Sequence, residues 1–480
     1  MKMLQLLEDG VNMSLWHWLM LVAFGTNPGI KVKLTDKGVE YGRQVGVASI
    51  QQKLNSISMV DISRSRFVPL IGKVHYSLSK MDVKNVGLPS SAAVLLPETG
   101  VRLSVRNASI TVNGDWRVKC LRILKHSGSF GLSVSGITIG TNVTVRKDET
   151  GRPQVSSVGC VATIGKVTIK FQGGSSWLVN PFSGVISKYL RNWLQKQICP
   201  LVADAVTDLN SALKAVEILP KVDKYAGIDG SMVAAPTVER FSIGFSLKGE
   251  FYNIGDHQEP PFSATVFSLP AENDKMVYIG ISAFTANSAA FVYHTAGVLS
   301  LSIKDDMIPK SSPIRLNTTS FGAFVPQIAQ NFPDLMMELL VKTVKHPIIT
   351  MEPDNVTVEA ASTVTAYAMQ PNDTCSPLFI LNLEANASAQ VFANATRLTG
   401  AVALNKTDVT LVASYVGDFQ VSSLDSILQM VLKVVVVPTL NEHLAEGYPM
   451  PNIRKTKLAN TKLQVLKDYL LIGMDFDFTQ

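Results

Sequence analysis

The sequence predicts an α+β protein in two halves, each a strongly twisted antiparallel sheet wrapped on long helices. Runs of alternating apolar and polar residues, typical of half-buried strands, occur throughout the 480-residue chain. A few longer segments instead repeat their apolar residues at the period of a helix. A proline-rich stretch at 255–273 separates the halves and indicates an interdomain linker.

Helical spacing occurs in three main places. Thr35 is a suitable N-cap for a first helix. The pattern turns helical again from Trp177 to Val216, with Pro181 expected near the start of that element and Pro200 expected to kink it. A late helix is predicted from Leu424 to Leu444.

Strands are predicted between the first two helices, where apolar residues alternate from Val101 to Val145. The alternation changes phase near Asn107 and again near Gly136. A β-bulge at each position would restore the buried face and increase the twist of the sheet.

Charge is distributed unevenly along the chain. Residues 26–250 contain 29 Lys and Arg against 15 Asp and Glu, whereas residues 251–480 contain 14 against 21. Residues 151–200 contain six basic side chains and no acidic one. A basic half of this kind indicates a polyanionic partner, which could be nucleic acid, a sulfated glycan or an anionic lipid surface.

The N-terminus predicts export, which argues against nucleic acid as the partner. Met13 to Phe24 is an apolar run of signal-peptide length, and Ala23 and Gly25 supply small residues for cleavage. We therefore expect residues 1–25 to be a signal region, with Met13 as an alternative start and a buried amphipathic helix as the alternative interpretation. The longest later apolar run, Ile427 to Val437, is too short to span a bilayer. A soluble, secreted product is expected.

Glycosylation sequons agree with export. Each of eight asparagines is followed two residues later by Ser or Thr, and six of the eight lie in the acidic half. The predicted glycosylation sites are Asn107, Asn142, Asn317, Asn355, Asn372, Asn386, Asn394 and Asn405.

Four cysteines allow three pairings and are too few to hold a chain of this length together. A bridge from Cys160, at the start of a strand-like run, to Cys199, in the long helical segment, would attach that helix to the sheet. Its loop of about 40 residues would contribute roughly 3–4 kcal/mol. Cys120 and Cys375 lie in opposite halves and are expected to be unpaired.

A basic cluster in the first half is the candidate binding site. Asn113-Gly114 is typical of a two-residue hairpin turn, which would place Trp116 at an apex beside basic residues. A phosphorylated lipid presents phosphate groups beside acyl chains. Arginine and lysine suit the phosphate groups, and a tryptophan at the interface suits the acyl chains. An alternative is that these bases are solvated side chains on strand edges. The predicted site residues are Arg66, Lys73, Trp116, Arg117, Lys119, Arg122 and Lys125.

Catalysis and metal binding find no support in the sequence. It contains no G-x-S-x-G, H-E-x-x-H, P-loop or G-x-G-x-x-G motif, and its histidines lack metal-ligand spacing. A non-enzymatic protein without a metal or catalytic cofactor is expected.

Several ordered motifs resemble the family of bactericidal/permeability-increasing protein and lipopolysaccharide-binding protein. The likeness covers nearly the whole mature chain and rests on Thr26-Asn27-Pro28-Gly29-Ile30, Gly72-Lys73-Val74-His75-Tyr76-Ser77, Leu88-Pro89-Ser90-Ser91, Lys248-Gly249-Glu250-Phe251-Tyr252, Asp305-Asp306-Met307-Ile308-Pro309-Lys310 and Tyr469-Leu470-Leu471-Ile472-Gly473.

The resemblance implies a boomerang of two tubular domains joined by a central sheet. The expected domains are 26–254, basic and lipopolysaccharide-binding, and 274–480, lipid-binding. It also implies a Cys160–Cys199 bridge, recognition of lipopolysaccharide at the basic tip, and one phospholipid pocket per domain. Core packing is the favoured explanation for each apolar helix residue taken singly, and the pocket rests mainly on the resemblance. The helix residues that could line the first pocket are Val39, Ile50, Leu54, Ile186, Leu190 and Leu194.

Two functions follow as expectations. The first is a secreted innate-immune protein that binds lipid A of Gram-negative bacteria, in contact with their outer membrane and with phospholipid. The alternative is a plasma protein that transfers phospholipid or neutral lipid. The basic first half favours the first function, because lipid transfer needs less positive charge.

Overall fold

A computed structural model describes residues 26–55, 59, 61–68, 72–120, 124–173, 176–372, 374–393, 397–449 and 456–478. The chain forms two compact units. We call residues 34–216 and 236–244 the N-terminal unit, and residues up to 33, 217–235 and 245–480 the C-terminal unit. The predicted signal region 1–25 lies outside the described residues.

The N-terminal unit combines one large sheet with two long helices. Its helices are α1 (Asp36–Asn55) and α2 (Ser183–Lys214). Its strands are β2 (Ile62–Val68), β3 (Gly72–Gly87), β4 (Ser90–Leu96), β5 (Gly100–Cys120), β6 (Leu124–Lys147), β7 (Pro153–Gln172) and β9 (Thr237–Val238). The large sheet is antiparallel in the order β2-β3-β5-β6-β7, and β4 also pairs with β5.

Both predicted helices of this unit form. The Thr35 hydroxyl accepts a hydrogen bond from the Gly38 N–H at 3.4 Å, which confirms the predicted N-cap. Helix α2 begins after the turn at Asn180–Phe182 and continues through Pro200 to Lys214. Ile186 and Leu190 of α2 are buried in the core against the inner face of the sheet.

Both predicted phase slips are confirmed as irregularities in strand pairing. The register between β5 and β6 shifts on both sides of Ala108, next to Asn107, which has a φ of 55°. Gly136 has a φ of 66°, a backbone conformation that glycine adopts without strain. These irregularities keep the apolar side chains of very long strands on one face.

A disulfide joins Cys160 of β7 to Cys199 of α2, with their Cα atoms 5.9 Å apart. Cys120 is buried and Cys375 is exposed, and both are free. The bond fastens the long helix to the strand that ends the sheet.

The C-terminal unit repeats the combination of long strands and helices. Its helices are α3 (Ala283–Thr295), α4 (Thr318–Gly322), α5 (Pro326–Asn331), α6 (Asp425–Val431) and α7 (Val437–Glu446). Its strands are β8 (Ala226–Asp229), β11 (Glu250–Asn253), β12 (Val277–Ser282), β13 (Ser300–Lys304), β14 (Met337–Thr343), β15 (Ile348–Glu352), β16 (Asn355–Met369), β17 (Cys375–Ala393), β18 (Arg397–Ser414), β19 (Tyr448–Pro449), β20 (Thr456–Leu466) and β21 (Tyr469–Phe478). Strands β13-β14-β16-β17-β18-β19 form one sheet in that order, with β15 paired to β16.

The unit boundary differs from the predicted split of 26–254 against 274–480. Strands β1 (Ile30–Thr35) and β10 (Ser242–Leu247) cross the division, and β20-β21-β12-β1-β10 are neighbours in one sheet. Residues 26–33, 217–235 and 245–254 therefore belong to the C-terminal unit. Sequence proximity assigned them to the first half, but strand pairing assigns them to the second.

The predicted linker 255–273 is packed. It contains neither helix nor strand, yet Ala264 and Phe267 are each only 5% exposed. The Asn27 side-chain amide donates to the Ala264 carbonyl at 2.9 Å, and the Lys31 ammonium donates to the Phe267 carbonyl. Ala264 and Phe267 therefore attach this segment to the C-terminal unit, whereas most of its other residues are exposed.

The predicted late helix forms as a continuous helical run of 22 residues, Asp425–Glu446, with a π-helical turn at Leu432–Val436. The run is longer than the apolar stretch recognised in the sequence, and it meets the length and composition required to cross a membrane. Ile427, Leu428 and Val431 are buried in the main core of the unit, however. One face of the run is therefore packed in the core, while only 28% of its most apolar 18-residue window is buried.

The stability of the C-terminal unit should fall as the pH is lowered. Burial, helped by the nearby charges of His346 and Lys342, lowers the pKa of His294 in α3, whose Nδ1 lies 2.8 Å from the Thr343 hydroxyl. The imidazole of His294 therefore binds a proton less tightly in the folded state than in the unfolded state. The stability that this difference contributes is complete above the ordinary pKa of histidine, and it is lost as the pH falls through the lowered pKa of the folded state. The melting temperature of the natural protein should drop between pH 7.5 and pH 5.5. In the His294→Gln variant this drop should be smaller by about 1–2 °C. An unchanged pH dependence would show that His294 does not contribute.

Candidate anionic-ligand surface

Four of the predicted basic residues, Lys73, Arg117, Lys119 and Lys125, gather at one end of the large sheet. Two connections lie at this end, one between β2 and β3 and the other between β5 and β6. The register places His75 opposite Lys119, and Lys119 opposite Lys125. Lys73 lies two residues before His75, and Arg117 lies two residues before Lys119.

Strand alternation turns these side chains outward. Val74, Val118 and Cys120 are buried, so the residues between them point away from the core. Lys73, Arg117, Lys119 and Lys125 are all exposed on the outward side. We call these four residues the basic face. Its members come from three adjacent strands, so the charges lie side by side.

None of the four basic-face residues forms an ion pair within the part of the chain that the structure describes. Other lysines of the same sheet do have partners. Lys80 lies 3.6 Å from Asp115, and Lys84 pairs with Asp82. The basic face is therefore a cluster of uncompensated positive charge that is available to an anion.

Arg66 does not belong to the basic face. It pairs with Val74, which is buried, so alternation directs Arg66 to the helix side of the sheet. Arg64 points the same way and lies over the ring of Tyr189 in α2, 5.4 Å from its centroid. The cluster predicted from the sequence is thus divided between two sides of the sheet. Arg122 lies outside the described residues.

Trp116 is not exposed at an apex, which corrects the predicted hairpin. Strand β5 runs without interruption from Gly100 to Cys120, and Trp116 is completely buried. Its indole N–H donates to the Gln172 carbonyl at 3.0 Å, and its ring packs edge-on against Phe171 at 6.2 Å. Trp116 therefore supports the sheet beneath the basic face and cannot insert into a lipid surface.

Packing explains the Asn113-Gly114 pair that resembled a turn. Gly114 is buried within β5, and a Cβ atom there would lie 2.7 Å from the ring of Phe130. The glycine makes room for a core aromatic residue. The reversal of the chain instead follows Cys120, since Cys120 pairs with Leu124.

An exposed aromatic residue does occur beside the basic face. Phe67 is 73% exposed and pairs with Lys73 across β2 and β3. Because it pairs with Lys73, it lies on the outward side. Its position just before the β2–β3 connection could have been recognised from the sequence, but its side of the sheet depends on the register.

A small apolar cavity lies between the sheet and the two helices of the N-terminal unit. Its volume is about 50 Å³. Of the six predicted pocket residues, Leu54 and Leu194 line it. Ile186 and Leu190 are packed in the core next to it, Ile50 is 37% exposed and Val39 is half-buried. The remaining lining residues are Met59, Val83, Ile110, Val112, Ile137, Ile164, Trp193, Gln197, Ile198 and Leu201.

The sequons differ in exposure. The Asn142 side-chain carbonyl accepts from Arg102 at 3.2 Å, and that of Asn317 accepts from the Ser320 N–H at 2.7 Å to cap α4. Exposed sequon asparagines are Asn107, Asn355, Asn372 and Asn405, half-buried ones are Asn142, Asn317 and Asn386, and Asn394 lies outside the described residues. No group of three or more His, Cys, Asp or Glu side chains that could hold a metal occurs among the described residues.

Comparison with known proteins places both units in one family. Residues 38–214 match the N-terminal domain, and residues 220–478 the C-terminal domain, of the LBP / BPI / CETP family. The chain is 62% identical to a bactericidal permeability-increasing protein of Sebastes schlegelii, covering 97% of this chain and 100% of the relative. It is 36% identical to a lipopolysaccharide-binding protein of Bos taurus, covering 94% of each. A crystal structure of lipopolysaccharide binding protein superposes with a TM-score of 0.66 at 32% identity, covering 95% of this chain and 100% of that one.

Proposed function

Because the chain belongs to the LBP / BPI / CETP family, we propose that it is a secreted, non-catalytic innate-immune protein that binds lipopolysaccharide of Gram-negative bacteria. The basic face is the observation that carries the proposal. Four exposed cations on adjacent strands, without ion-pair partners among the described residues, suit the phosphates of lipid A.

Phe67 extends the basic face with an apolar contact. A glycolipid in a bacterial outer membrane presents acyl chains beside its phosphates. An exposed aromatic ring at the edge of a basic surface can enter the boundary between acyl chains and phosphates while the lysines contact the phosphates. Phe67 thus takes the role that the sequence had suggested for Trp116.

The apolar cavity is the proposed site for phospholipid acyl chains. Its lining is apolar apart from Gln197. Each methylene that leaves water contributes about 0.8 kcal/mol, so long chains would be held firmly. The lining residues come from the sheet and from both α1 and α2, so an acyl chain bound here would lie between the sheet and the helices.

Lipid transfer between particles, the alternative function, is less well supported. Relatives that are 62% and 36% identical to this chain bear the names of a bactericidal permeability-increasing protein and a lipopolysaccharide-binding protein. The uncompensated basic face also suits a ligand with several phosphates and a net negative charge better than a zwitterionic phospholipid or a neutral lipid.

Removal of the basic face tests the proposal. In the variant Lys73→Gln, Arg117→Gln, Lys119→Gln, Lys125→Gln, affinity for lipid A in a vesicle-binding titration should fall by about 100-fold, since each exposed charge contact is worth up to about 1 kcal/mol. The salt dependence of binding should weaken in parallel.

A matched control removes four exposed charges from the helix side of the same unit: Arg64→Gln, Arg66→Gln, Lys188→Gln, Arg191→Gln. This control should keep most of its affinity. Equal losses in both variants would mean that net charge alone drives binding. Undiminished affinity in the first variant would contradict the proposed function.

A further inference from the structure

A strip of small polar residues continues from the basic face along the outward side of the sheet. In β6, Leu132 and Val134 are buried, so Gly131, Ser133 and Ser135 face outward. These side chains are too short to project far from the sheet. We call this outward side of β6, between the side chains of β5 and β7, the trough. The hydroxyl groups of Ser133 and Ser135 lie along it.

Two lysines of β7 border this trough. Lys170 pairs with Gly131, and Lys166 pairs with Ser135. Thr168 lies between them and pairs with Ser133. Both lysines are exposed, and neither forms an ion pair among the residues that the structure describes. One wall of the trough therefore carries two free positive charges.

The opposite wall is different in character. Asn113 of β5 pairs with Gly131 on one side and with Asp82 on the other. Asp82 is neutralised by Lys84. This wall consequently presents an amide and a compensated ion pair, so the positive potential of the trough comes from β7.

The trough and the basic face share one strand. Lys125 and Gly131 are six residues apart on β6, which corresponds to about 20 Å along the strand. A ligand with phosphates at the basic face could therefore extend into the trough if the rest of it is elongated and polar. Hydroxyl and amide groups beside lysines are suited to a phosphorylated sugar chain, whereas acyl chains would find no apolar contact there.

We propose that the trough binds the phosphorylated core oligosaccharide of lipopolysaccharide, with Lys166 and Lys170 contacting its phosphates and Ser133 and Ser135 its hydroxyls. This inference rests on the proposed function and adds a second region to the same ligand. Lipid A is held at the basic face, and the saccharide that it carries lies along β6 and β7.

The test compares two ligands on two variants. Lys166→Gln, Lys170→Gln should lower affinity for lipopolysaccharide with a phosphorylated core by roughly tenfold, because two exposed charge contacts are lost. Affinity for lipid A, which has no core, should not change. Lys166→Arg, Lys170→Arg keeps the charges and should bind both ligands like the natural protein. Arg146→Gln, Lys147→Gln, which removes two exposed charges at the other end of β6, is the matched control and should bind both ligands normally.

Lipopolysaccharide with an enzymatically dephosphorylated core should bind the natural protein and the Lys166→Gln, Lys170→Gln variant equally well. If the double variant loses affinity for lipid A as well, or for neither ligand, the trough is not a saccharide site. If it loses affinity for a sulfated glycan but not for lipopolysaccharide, the lysines serve another class of ligand and the inference is wrong. Failure of the natural protein to bind lipid A would instead overturn the proposed function.

Discussion

Replacing Trp116 with alanine should lower the free energy of unfolding by about 3–5 kcal/mol. The side chain is completely buried, packs against Phe171 and donates to the Gln172 carbonyl. Its removal leaves a large cavity and an unpaired carbonyl between β5 and the end of β7. Denaturant unfolding followed by circular dichroism measures the effect without depending on tryptophan fluorescence.

Trp177 provides a control of the same residue type. It is 65% exposed, so Trp177→Ala should change the free energy of unfolding by less than about 0.5 kcal/mol. Phe67→Ala should likewise preserve stability but weaken binding to lipid A vesicles. A Trp116→Ala protein as stable as the natural one would show that the indole is not a core residue.

Loss of the disulfide has the second large effect. Cys160→Ser, Cys199→Ser opens a bridge between residues 39 apart in sequence, which should cost about 3–4 kcal/mol. For a unit of this size the melting temperature should fall by about 10 °C. Differential scanning calorimetry should show the shift in the transition of the N-terminal unit.

Cys375→Ser is the matched control for the disulfide variant, since Cys375 is exposed and free. It should melt like the natural protein. Reductant should lower the melting temperature of the natural protein to that of the double variant and leave the double variant itself unaffected. A natural protein that is insensitive to reductant would indicate that the bridge contributes little.

The strands between Val101 and Val145 were recognised because strand alternation is a local signal, although the hairpin predicted at Asn113-Gly114 lies inside the continuous strand β5. The phase slips at Asn107 and Gly136 are visible in the sequence, and the pairing irregularities occur where the slips are. A buried face must keep its apolar residues on one side, so any interruption of the alternation has to appear as a bulge.

The basic face was only partly predictable. Lys73, Arg117, Lys119 and Lys125 were recognised by composition, and the structure places them together. Arg66 was grouped with them because it is near in sequence. Its side of the sheet depends on the register between β2 and β3, which no local signal sets.

Trp116 was misjudged because one sequence signal has two physical causes. An Asn-Gly pair favours a turn, but glycine is also needed where a neighbouring ring occupies the space of a side chain. The ring of Phe130 in the adjoining strand occupies that space at Gly114. Phe130 reaches Gly114 only because β5 pairs with β6. The sequence around Gly114 therefore does not reveal why a glycine is needed at that position.

The division of the chain into units has a consequence for biosynthesis. Residues 26–33 are made early, yet in their sheet β1 lies between β10 and β12, which are synthesised more than 200 residues later. The sheet that contains β1 therefore cannot be completed while the ribosome is still synthesising the first half of the chain. Residues 34–216, the larger of the two segments of the N-terminal unit, can fold before residues 217–235 and 245–480 of the C-terminal unit are made, while β1 remains unpaired. Slow folding of the C-terminal unit is the expected consequence of this arrangement.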